Sequence, residues 1–100
     1  MPQAQPAPVP LAEWLTELRA ALNASDPRLQ LTPAEERELL ELARVAAHAS
    51  ERIAAPLTTF VAGVALAEAA PAERATRVRD LIAALKRVAD QRVEPRGGKA

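Results

Sequence analysis

The chain has one histidine, His48, and it stands among arginines at helical spacing. Arg37, Glu41, Arg44, His48 and Arg52 follow one another in steps of three or four residues. A helix places such a series on one face. An imidazole flanked by guanidinium groups can orient a carboxylate, a phosphate or an acidic residue of a partner, because the planar guanidinium fork matches those anions. The same row also reads as a solvated helix face whose charges are balanced by Glu41 and Glu51. Both readings stay open on the residues alone. Thr58 and Thr59, just after Pro56, form a weaker candidate. A helix starting there would offer unpaired amides to an anion. The two hydroxyls equally suit capping of a buried helix, and no Gly-rich phosphate loop precedes them.

Other chemistry finds little support. Ser25 and Ser50 lack the context of a nucleophile elbow, and a single His cannot build a multi-His metal site. There is no Cys, which excludes disulfides, thiol catalysis and thiolate metal sites. Glu35, Glu36, Glu38 and Glu41 cluster, but the first two suit the positive end of a helix. No residue is therefore assigned to catalysis, to a cofactor or to a metal, and the expected protein is not an enzyme.

Composition narrows the classes further. Lys plus Arg equals Asp plus Glu at 13 each, so the basic surplus of a nucleic-acid binder is missing. The longest apolar run, 53–67, is interrupted by Pro56, Thr58 and Thr59 and is too short to span a bilayer. The opening MPQAQPAPVP does not read as a signal peptide. The cytoplasm is the expected location, with neither membrane nor nucleic acid as partner.

Hydrophobic residues make up 49% of the 100, but much of that is Ala, with one Trp and one Phe. Such a core must bring helices close together. Four helices are legible between a Pro-rich tail, 1–10, and a frayed tail, 94–100, which leaves a single domain over 11–93. Leu11, Trp14, Leu15, Leu18 and Leu22 make one face of a first helix. Thr32, Pro33 and Glu35 make a capping box at the start of a second. Pro56 predicts a break, then a third helix over about 57–69. Phe60, Val61, Val64, Ala65, Leu66 and Ala67 leave that helix almost no polar face, which predicts burial on all sides with Gly63 at a close contact. Val78, Leu81, Ile82, Leu85, Val88 and Ala89 make the inward stripe of a fourth helix over about 72–93. The predicted fold is all-α, a compact four-helix bundle with a buried, Ala/Gly-rich third helix. A core so poor in large side chains stabilises weakly, which favours a homodimer.

The stretch from Leu39 to Gly63, LLELARVAAHASERIAAPLTTFVAG, resembles a small helical domain of unknown function found mainly in actinobacteria. The similarity rests on Leu39 to Arg44 and on His48, Arg52, Ala54 to Thr58 and Gly63. Leu11-Ala12-Glu13-Trp14-Leu15 is similar to that family's opening helix. Two positions depart: Val45 stands where the family usually has an acid, and Ile53 replaces a Pro. The Val45 change removes a possible carboxylate partner for the Arg/His row. The family occurs alone or behind molybdenum-cofactor guanylyltransferase. The resemblance therefore implies an accessory role near molybdenum-cofactor or molybdoenzyme maturation, with a maturation protein as partner. Two functions are expected on these grounds. One is a non-enzymatic interaction module, docking through the His48 row or an exposed apolar strip. The other is a small-molecule protein that holds an anionic pterin or nucleotide near Arg44, His48 and Arg52.

Overall fold

Thr32 sets the start of the helix against which two later helices pack. Its hydroxyl accepts from the Glu35 amide at 3.1 Å, and the Glu35 carboxylate accepts from the Thr32 amide at 2.9 Å. This closed box, followed by Pro33, begins α2 (Pro33–Ala49) as the spacing predicts. The structure is a computed structural model that describes residues 7–92. The predicted tails at 1–10 and 94–100 lie wholly or mostly outside those residues. Within the described residues the fold is all-α: α1 (Leu11–Leu22), α2, α3 (Ala54–Ala65) and α4 (Pro71–Arg92), with a short 3-10 turn at Pro27–Leu29. None of the four helices is long and apolar enough to cross a membrane.

The chain divides into two compact units, Met1–Gln30 and Leu31–Ala100. In the first, α1 has the predicted boundaries, and the Asn23 amide closes it on the Arg19 carbonyl at 2.8 Å. Its Leu11, Trp14, Leu18 and Leu22 are exposed. The 3-10 turn is capped by Asp26, whose carboxylate takes the Arg28 amide at 2.9 Å and the Arg28 guanidinium. That pairing holds the Asp26 carboxyl below its usual value.

In the second unit α2 packs against both α3 and α4. Leu42 and Val45 of α2 meet Ala62 of α3 and Val78 and Ile82 of α4, and Leu39, Leu66, Leu81 and Leu85 close around them. Leu42 is 0% exposed. The central element is thus α2, whereas hydropathy alone predicts α3. The α2–α4 seam is laced by ion pairs in rising order: Glu35 with Arg74, Glu38 with Arg79, Glu41 with Lys86. Farther along, Arg92 donates to the Ala49 carbonyl at 3.3 Å and satisfies one of the open acceptors at the end of α2. Residue numbers rise together on both sides, so α2 and α4 run in the same direction. Lys86 crosses to α2 here, where the i, i+4 pattern predicts a partner in Asp90 of its own helix.

The prediction of a buried third helix is overturned. Phe60 is 72% exposed, and Leu57, Val61 and Val64 are exposed beside it. Ala62 is the buried residue of α3. Half-buried Ala55, Thr58 and Thr59, with Leu66 at the C-cap, fall with Ala62 on one helical stripe, and Ala54 is half-buried at the helix start. The helix therefore turns its small side chains inward and its large ones outward. Small residues let α3 lie close to α2, and that approach decides which face is inside. Gly63 is exposed, and a Cβ added to it would meet nothing within 4 Å, so it makes no close helix contact.

Candidate functional site

The row read from the sequence is only partly a row. Arg37, Glu41, Arg44 and His48 all lie on α2, but that helix ends at Ala49. Ser50 leaves helical geometry with φ −134° and ψ −105°. Arg52 sits in the turn that leads into α3, where its carbonyl accepts from the Ala55 amide at 3.2 Å. Arg52 therefore does not continue the α2 face by another turn. Arg37, Arg44, His48 and Arg52 are exposed, and Glu41 is half-buried.

Glu41 changes what the row can do. Its carboxylate accepts the Arg44 Nε at 2.9 Å and the Arg44 Nη2 beside it, a two-point fork. Lys86 approaches the same carboxylate to 3.7 Å from α4. The Arg44 hydrogen bond, then the charges of Arg44 and Lys86, hold the Glu41 carboxyl below its usual value. The same contact pushes Arg44 up. The arginine placed best for an anion already has a carboxylate. Arg37, His48 and Arg52 form no side-chain hydrogen bond or ion pair among the described residues. Val45 is buried in the core rather than turned to the row. An acid there would be placed among the buried apolar residues of the core.

Thr58 and Thr59 do not open their helix. α3 begins at Ala54, with Pro56 inside the first turn. Proline fits there because its missing N–H belongs to the amides that a helix start leaves unpaired. The break predicted before Pro56 therefore falls earlier, after Ala49. The Thr59 hydroxyl donates back to the Pro56 carbonyl at 3.0 Å. Both threonines are half-buried on the inner stripe, beyond the first turn of the helix.

What the structure adds is the outward face of α3. Leu57, Phe60, Val61 and Val64 lie side by side at helical spacing, and exposed Ile53 precedes them. No ionisable residue occurs from 53 to 67. The signal was present in the sequence. The stripe 55, 58, 59, 62, 66 holds Ala, Thr, Thr, Ala and Leu, so the bulkier residues share the other side. Hydropathy averaged round the helix conceals that asymmetry of size.

Residues 6–97 fit the model of a family described as a domain of unknown function, DUF6457. The chain belongs to that family. No curated protein and no solved structure matches it. Membership agrees with the resemblance as far as a domain of unknown function.

Proposed function

We propose that this domain is a non-enzymatic interaction module whose docking surface is the outward face of α3. We further propose that its partner belongs to molybdenum-cofactor or molybdoenzyme maturation in an actinobacterial cytoplasm. The observation that carries the first part is the exposure of Leu57, Phe60, Val61 and Val64 on one uncharged helix face. Contiguous apolar surface of this kind marks interaction sites in stable proteins. The second part is supported by the resemblance to a domain that stands alone or follows molybdenum-cofactor guanylyltransferase.

The other reading is an anionic pterin or nucleotide held near Arg44, His48 and Arg52. The exposed, unpaired His48 and Arg52 favour it. Such a ligand has to compete with Glu41 for Arg44.

Calorimetric titration with the host's molybdenum-cofactor guanylyltransferase tests the proposal. Wild type is expected to bind. Phe60→Glu is expected to bind more than about tenfold more weakly, as for a central apolar anchor. His48→Ala is expected to bind as wild type does. Unchanged binding by Phe60→Glu ends the assignment of the α3 face, and no binding by wild type ends the assignment of the partner.

A further inference from the structure

The face that docks a partner has an occupant when the protein is alone. We infer that the outward face of α3 pairs with the same face of a second copy of this chain, in a two-fold dimer. This rests on the reading of that face as the docking surface and names one molecule that covers it.

Area is the first argument. Leu57, Phe60, Val61 and Val64 are 63%, 72%, 65% and 61% exposed, and Ile53 is 65% exposed. With Pro56, Ala65 and Ala67 beside them, they present on the order of 600 Å² per chain, taking a Phe side chain as about 200 Å² and the aliphatic ones as somewhat less. A stable interface takes about 800 Å² from each partner, so the strip is close to the size that a dimer of this kind needs. A patch at the upper end of what monomers leave bare is better covered than wet.

Charge is the second argument. A two-fold interface sets a patch against itself, so any net charge on it repels its own copy. The run 53–67 carries no Asp, Glu, Lys, Arg or His. A partner with a strongly acidic or basic surface would find nothing to answer it there. A second copy, equally neutral, meets no such cost.

Shape agrees. Phe60 stands out from the helix, and Gly63, one turn on along the same side, leaves open space where a Cβ would be. Two copies in opposite directions set each phenyl ring over the other's glycine. Dimer and partner complex then use one surface and exclude each other.

The chain has no cysteine, which makes the test clean. Sedimentation of the full chain at high micromolar concentration is expected to show a dimer. Phe60→Glu places two carboxylates in the interface and is expected to sediment as a monomer with wild-type helicity. Val61→Cys, at the middle of the strip, is expected to give a disulfide-linked dimer under mild oxidation, because a two-fold axis brings the paired positions within reach. Arg87→Cys, exposed on α4, is expected to stay monomeric in the same gel. A monomeric wild type overturns the inference. So does a dimer that survives Phe60→Glu and leaves Val61→Cys uncrosslinked. If wild type is monomeric while Phe60→Glu still loses the guanylyltransferase, the dimer falls and the docking face stands.

Discussion

At Glu35 one carboxylate closes a helix end and anchors a second helix. It is 2% exposed, its Oε1 takes the Thr32 amide, and both oxygens face the Arg74 guanidinium. A buried charge is tolerable only while every partner stays in place. Arg74→Ala is therefore expected to cost about 3 kcal/mol or more in urea unfolding, whereas Arg79→Ala, on an exposed pair with Glu38, is expected to cost under about 1 kcal/mol. His48→Ala removes an exposed side chain and is expected to shift stability by less than about 0.5 kcal/mol in a thermal melt. Glu41 carries a pH signature. Its carboxyl is held below the ordinary 4.5, so its stabilisation is full above that value and is lost as pH falls through the lower, folded one. Melting temperature followed between pH 6 and pH 3 is expected to fall less for Glu41→Gln than for wild type. The cap made by Glu35 was legible from its three-residue distance to Thr32. The bond to Arg74 spans 39 positions and has no local signature.

Among the elements, α1 was legible at both ends because its Leu face is periodic and Pro10 and Asn23 bound it. The start of α2 was legible for its capping box. A box of this kind contributes about 1 kcal/mol, so Thr32→Ala is expected to lower the unfolding free energy by about that much. α3 was misread twice. Its start was placed after Pro56, although a proline in the first turn breaks no bond. Its burial was read from hydropathy, although side-chain size chose the inner face. Gly63 shows the difference most directly. With a buried Gly63, added bulk would overpack a contact. With open space around it in the single chain and no positive φ, Gly63→Ala in the monomeric Phe60→Glu background is expected to raise stability by up to about 1 kcal/mol, because glycine costs backbone entropy in a helix. Urea midpoints for Phe60→Glu with and without Gly63→Ala check the sign.

For the whole molecule, the all-α class was legible from periodicity alone, and membership of a family followed from a stretch inside α2 and α3. The extent of the row around His48 was not, because it was drawn across a helix end that only the turn at Ser50 reveals. Among the described residues every buried one, Glu35, Leu42, Val45, Ala46, Ala62, Val78 and Ile82, belongs to the second unit. A chain that begins at Leu31 is expected to unfold in one cooperative transition by circular dichroism, and a broad, sloping melt would contradict that expectation. The two sides of α3 also separate two kinds of selection within a cell. A residue such as Ala62 is held by folding, so enlarging it depletes the protein itself through clearance of unfolded chains. A residue such as Phe60 stands outside the core, so replacing it is expected to leave the fold of the single chain intact and to alter what the proposed docking face binds. Measured side by side, abundance and fitness of single variants along residues 54–65 would alternate with the turn of the helix, and the phase between the two traces would mark the docking face without any partner being known.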